Sequence, residues 1–214
     1  MTGLLIKGGP VLVVILGLSA ISLAFALERF YHVRRADQDH QALMDLIACT
    51  LEKEGPEAAR RAAASFEGPV AAVLEGGLAA WISGNKTVQQ GMEEKEQTEF
   101  ARLEEHMDII ALTADLAPLL GLLGTVTGMI DTFSVFSRHG MQQPMLLAGG
   151  ISEALITTAA GLMVAIFNLA VYHYLTKQID RLALESQTCG MELQDLLQKR
   201  GRHRVPTPAQ AAQN

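Results

Sequence analysis

The sequence predicts an all-α membrane protein: three transmembrane helices with long helical extensions outside the bilayer. Three observations carry this. Twenty residues between Lys7 and Glu28 are free of formal charge, and so are twenty-three between Glu153 and Lys177. A third run, Ile109 to Phe136, is mostly apolar and holds only Asp115 and Asp131. A helix crossing the hydrocarbon core needs about 20 apolar residues, so an ordinary soluble globule is excluded. The hydrophobic fraction of 49% contains only 5% aromatics, a mix that suits helices better than strands. The formal charge of −6 argues against a nucleic-acid binder, which needs a basic face to displace counterions.

Residues 1–7 form a short amino end, and 8–27 the first span. Lys7 in front and Ala24-Phe25-Ala26 behind allow a rival reading as a cleaved signal peptide. The length of the run, with Arg29, Arg34 and Arg35 after it, favours a retained anchor whose amino end lies outside. Residues 28–108 read as a cytoplasmic loop, helical throughout. Leu43, Leu46, Ile47 and Leu51 make one apolar stripe, while Pro56 and Pro69 each follow a glycine and suit the first turn of a helix. The stretch Gly68 to Gly84 is apolar but short and contains Glu75, so it reads as a helix that does not span. Beyond Lys86, a stripe of Val88, Met92, Phe100, Leu103, Met107 and Ile110 predicts one uninterrupted helix running into the second span.

That second span covers 109–136, about 42 Å of helix, with one carboxylate near each end. Residues 137–148 form a periplasmic loop and 149–176 the third span. Tyr172, Leu175, Ile179, Leu182, Ser186, Cys189, Leu193 and Leu196 alternate at spacings of three and four, a heptad seam that carries the helix through 177–200. The seam packs either on the 86–110 helix or on a neighbouring subunit. Gly201 and Pro206-Thr207-Pro208 end it, and the 201–214 tail reads as disordered. Residues 28–108 and the segment after Thr176 hold fifteen Lys and Arg, against Lys7 and Arg138 elsewhere. The basic segments stay cytoplasmic, which sets the amino end out and the carboxyl end in.

The chemistry-bearing residues are few. Cys49 and Cys189 form no CxxC, and the six histidines lack i, i+4 pairing, so neither a disulfide framework nor a metal site is expected. No nucleophile–base pair, phosphate loop or cofactor fingerprint occurs, so neither an enzyme nor a cofactor is expected. What stands out is small residues at helical spacing. Ala117, Gly121, Gly124, Thr125 and Gly128 share one face of the second span; Ala154, Thr158, Gly161, Ala165 and Asn168 share one face of the third. Such faces let membrane helices approach closely. Simple packing accounts for the glycines, but Thr125, Thr158 and Asn168 add polar groups to the same faces and suggest a polar-lined seam. Intramembrane carboxylates are functional candidates by default. Asp115 and Asp131 sit near the span ends, where a solvated or capping role competes with a functional one. Glu153, near a helix start, suits capping and ion handling alike.

Ala117-Pro118-Leu-Leu-Gly121-Leu-Leu-Gly124-Thr125-Val-Thr-Gly128 and Gly150-Ile-Ser-Glu153-Ala-Leu-Ile-Thr157-Thr158-Ala-Ala-Gly161 resemble the second- and third-span signatures of the ExbB/TolQ/MotA proton-channel family, closest to ExbB and TolQ. The resemblance implies a homo-oligomer, a pentameric ring in the bacterial inner membrane, enclosing the single span of an ExbD/TolR-like partner. It implies that an aspartate of that partner carries the proton. Thr125 and Thr158 match the threonines lining its surroundings, and Glu153 matches the family's third-span glutamate. Output would pass through a TonB- or TolA-like periplasmic linker, as proton-driven work on the envelope. Phe167 departs from the proline that relatives often carry there. A passive ion channel, a structural scaffold and a surface-motility motor are the competing functions.

Overall fold

The computed structural model describes residues 9–37, 39–139 and 144–204. All regular structure among them is helical: α1 Gly9–Ala36, α2 His40–Lys53, α3 Pro56–Ala64, α4 Pro69–Ser83, α5 Val88–Glu104, α6 Met107–His139 and α7 Pro144–Arg204. Three stretches are long and apolar enough to cross a membrane: Gly9–Ala36, Val88–Ser137 and Ala148–Arg200. The chain divides into two compact units. One comprises residues 1–30 and 105–176, the other 31–104 and 177–214.

The first unit holds the apolar runs. Its helix order follows from pairwise contacts. Ser22 meets Asn168 and the ring of Phe30 meets that of Tyr174, so α1 and α7 run parallel. Gly124 lies near Val11, while Phe25 stacks on His106, so α1 and α6 run antiparallel. The chain therefore passes up, down and up, as alternate crossings require. Large apolar side chains point away from these contacts: Leu119, Leu122, Ile130, Leu155, Met163 and Ile166 are all exposed. Such a surface is suited to lipid or to other membrane helices.

The second unit turns its large apolar side chains inward around one core. Asp39 caps α2 by accepting from the amides of Gln41 and Ala42 at 3.1 and 3.2 Å. Pro56 and Pro69 start α3 and α4, as expected, each behind a glycine at positive φ. Gly84 closes α4 in the left-handed conformation. Thr87 and Gln90 then open α5 with a reciprocal capping box, amide to side chain in both directions. Helix α4 is buried on nearly every side, with Val70, Leu74 and Leu78 against Leu43, Ile47 and Leu193. Its 15 residues make about 22 Å, too short for a 30 Å core; it is the core helix of this unit.

Several expectations need correction. The 86–110 segment is not one helix: it breaks at Glu105–His106, where His106 takes φ +62°. The break is held from outside the local sequence, by the Phe25 ring at 4.5 Å and by Glu28 at 4.0 Å from Nδ1. Leu46 leaves its stripe and is exposed, while Leu43, Ile47 and Leu51 are buried. The seam on α7 packs inside the chain: Ile179, Leu182, Ser186, Cys189 and Leu193 are buried. At its end Leu197 replaces Leu196 as the fully buried position. A straight helix repeats at 3.6 residues and drifts from a strict 3.5 seam. Helices α6 and α7 also extend into both ends of the expected 137–148 loop, and α7 continues through Arg204, past Gly201. Residues 1–8, 140–143 and 205–214, parts of the expected amino end, loop and tail, lie outside the described residues.

Cys49 is exposed and Cys189 buried. Cys189 lies beyond the third apolar run, where burial, with Glu192 and Glu185 nearby, pushes its thiol above the ordinary value. Thiolate is the reactive form. A maleimide should therefore label Cys49 quickly at neutral pH and Cys189 much more slowly, as mass spectrometry of labelled peptides would show. Equal rates would mean that the core around Leu193 is not formed.

Candidate functional site

The small-residue faces of α6 and α7 meet as an antiparallel ladder. Gly161 opposes Ala117, Gly121 opposes Thr158, Gly124 opposes Thr157 and Gly128 opposes Ala154. Gly150 opposes Thr132 one step further along. The approach is close enough that a side chain at the glycines would collide. A Cβ on Gly161 would lie 2.5 Å from the Ala117 carbonyl oxygen, and one on Gly121 would lie 3.1 Å from the Thr158 Cα. Ala154 and Ala165 are buried on the same face. The six small residues from Gly121 to Ala165 and the two threonines selected from sequence are thus largely one contact.

Thr125 and Thr158 come together at its centre. The Thr158 hydroxyl lies 2.9 Å from the Gly121 carbonyl across the helix pair and touches the Thr125 hydroxyl; Thr125 in turn lies 3.1 Å from the same carbonyl. Two hydroxyl protons and one shared carbonyl leave oxygen lone pairs to spare, since each hydroxyl donates once and accepts twice. The pair is therefore equipped to accept a hydrogen bond from a protonated group, and to pass it on by re-donating. Beside it, a shallow trough of about 500 Å³ runs along α6, lined by Leu122, Thr125, Val126, Met129, Ile130 and Phe133. It is apolar except for the Thr125 hydroxyl.

Glu153 is elsewhere. Its carboxylate lies against the first residue of α1, with Oε1 2.6 Å from where a Gly9 Cβ would stand. Gly9 has φ +62°, a left-handed backbone conformation that favours glycine. The start of a helix exposes amide donors and the positive end of its dipole, and a carboxylate is suited to that position. Asp115 and Asp131 are exposed on α6 and take no part in the ladder.

Two polar residues carry more of this unit than sequence reasoning assigned to them. Thr157 is buried beneath Gly124 and bonds back to the Glu153 carbonyl at 3.0 Å. Ser22, fully buried on α1, donates to Asn168 Oδ1, and Asn168 Nδ2 donates to the Val164 carbonyl at 2.8 Å. Asn168 stood out in the sequence because it is polar on a small-residue face. Ser22 did not, because a serine inside an apolar run satisfies itself on its own helix as readily as on another.

Comparison with known proteins bears on this arrangement. The sequence pattern of the MotA/TolQ/ExbB proton channel family matches residues 66–188, which include both halves of the ladder. Biopolymer transport protein ExbB-like 1 of Synechocystis sp. is 37% identical over 179 residues, 79% of this chain and 68% of the relative. Biopolymer transport protein ExbB of Aquifex aeolicus is 34% identical over 103 residues, 48% of this chain and 69% of its own length. The Tol-Pal system protein TolQ of Haemophilus influenzae is 35% identical over 82 residues, 38% of this chain and 36% of its own.

Two outcomes are expected of the site. Gly161→Val should prevent the ladder from closing, because the obstructing atom is backbone and cannot swing aside; overpacking of this kind costs about 1–3 kcal/mol. Gly149→Ala, with nothing within 4 Å, should leave the yield of folded protein in detergent unchanged. For Ser22→Ala and Asn168→Ala, a double-mutant cycle on unfolding should give a coupling of about 0.6–1.7 kcal/mol. Strict additivity would remove the interhelical bond from the account.

Proposed function

The chain belongs to the MotA/TolQ/ExbB proton channel family, and on that premise we propose that it is the multi-span subunit of an ExbB/TolQ-type energy converter in the bacterial inner membrane. In this proposal the amino end is periplasmic, five copies form a ring, and the ring encloses the single span of an ExbD/TolR-like protein. The observation that carries the proposal is the hydroxyl pair of Thr125 and Thr158, set among apolar side chains at the α6–α7 crossing.

The chemistry follows from what this chain has and what it omits. No charged residue lies between Asp115 and Asp131 or between Glu153 and Lys177. A titrating group at mid-membrane must then come from a partner, and an ionisable side chain there needs polar company. The spare lone pairs of Thr125 and Thr158 supply it: they accept from the acid while it is protonated. The trough on α6 beside Thr125 has the dimensions and character of a seat for one face of an apolar helix. Glu153 in this scheme anchors α1 rather than carrying the proton. One charge crossing 100 mV releases about 2.3 kcal/mol, enough to rearrange one or two contacts, so mechanical output on the envelope requires several protons per cycle.

Thr158→Val tests the proposal because it keeps volume and removes the hydroxyl. Assembly with the partner, read as complex yield, should survive. Proton-gradient-dependent activity in cells should fall severalfold, up to about tenfold, the effect of losing one neutral hydrogen bond of about 0.5–1.5 kcal/mol. Thr125→Val should do the same, and the double variant should be little worse than either. Full activity with Val at both positions would leave a structural scaffold as the reading. Undiminished ion flux without envelope output would point to a passive channel.

A further inference from the structure

The second unit brings together side chains that lie far apart in sequence. Asp37 follows α1, His40 begins α2 and Glu185 lies on α7, yet one ligand atom from each falls within 4.8 Å of the others. His40 Nε2 and Glu185 Oε2 stand 3.0 Å apart. Both atoms are sealed from solvent, and neither makes an aligned hydrogen bond among the described residues. An imidazole nitrogen and a carboxylate oxygen facing each other at this range are two donor types that a bound cation draws together.

We propose that Asp37, His40 and Glu185 form a binding site for a divalent transition-metal ion of the zinc type. One imidazole and two carboxylates are an ordinary donor set for such an ion, with water completing four-coordination. Ligand bonds of about 2.0–2.2 Å in a tetrahedron separate the donor atoms by about 3.3–3.6 Å. The His40–Glu185 pair is already within a few tenths of an ångström of that spacing, and Asp37 needs to move inward by little more than one. Alongside lies a cleft of about 430 Å³, lined by Asp39, Met44, Arg181, Thr188, Cys189 and Glu192 among others. It gives the ion a way in.

Arg181 is the built-in competitor. Its guanidinium lies 2.9 Å from Glu185 and 4.0 Å from Asp37, so it now supplies the positive charge that the metal would bring. Its side chain is 58% exposed, and it can swing into water when an ion takes its place. Metal occupancy would cross-link the end of α1, the start of α2 and α7, fastening this unit at one corner. The function proposed above does not depend on it.

The competitor makes the test decisive. Untagged full-length protein in detergent is titrated with ZnCl2 by calorimetry at pH 7.5, and with CoCl2 by visible absorption. Expected is one saturable ion per chain. His40→Ala and Glu185→Gln should each weaken it by about tenfold or more, and Arg181→Gln should tighten it severalfold. A structural ion-pair network predicts the opposite for Arg181, whose loss would leave the carboxylates without a partner and the zinc titration flat. Absence of saturable binding in both the natural protein and Arg181→Gln would overturn the site, as would binding that His40→Ala leaves unchanged.

Discussion

Backbone contact between α6 and α7 at the Gly121–Gly161 crossing is the constraint on which the membrane unit depends. In hydrocarbon, a large apolar side chain gains nothing by turning inward, so helices are held by dispersion and hydrogen bonds at short range. Both need small residues. Glycine at 121, 124, 128 and 161 lets the helices approach until the Thr158 hydroxyl reaches the carbonyl of Gly121 on the facing helix. The same closeness puts the Thr125 and Thr158 oxygens in contact. The polar site is thus a by-product of packing geometry: without the close approach, each threonine would bond only within its own helix.

Helix α7 obeys two rules along one continuous backbone. Before Thr176 its inward face carries Ala154, Thr157, Gly161, Ala165 and Asn168, while Leu155, Met163 and Ile166 face outward. After Lys177 the pattern inverts, and Ile179, Leu182, Leu193 and Leu197 turn inward. The inversion is the one that a change of surroundings from lipid to water would produce. Where water is the alternative, burying a leucine stabilises by about 1.5–3 kcal/mol; where lipid is the alternative, it does not. Cys189 and Ser186, the polar faults in the seam, fall inside the second pattern, and Gly190 lies close to Met92.

How much of this was legible in the sequence varied with the range of the interaction. Charge-free runs, proline–glycine helix starts and the i, i+4 recurrence of small residues are local signals, and they located the spans, α3, α4 and the faces that meet. The heptad spacing on α7 showed that a seam existed without saying what filled it; the core of the same chain does. The break at His106 left no local mark, because neither Gly nor Pro stands there. A histidine in the left-handed region is costly for its own backbone, and contacts with Phe25 and Glu28, some eighty residues earlier, sustain it.

By itself the sequence determined that three helices long enough to cross a membrane exist and which of their faces are small and polar, since length, charge and helical periodicity are written along one segment at a time. Only the tertiary structure decided pairings: Thr125 with Thr158, Ser22 with Asn168, Glu153 with the first turn of α1, and Asp37 with His40 and Glu185. Each joins residues separated by more than thirty positions, except Asp37 and His40, whose meeting point is supplied by Glu185. A pairing of that kind depends on how closely two helices approach and in what register, and those are set by atoms on both partners at once.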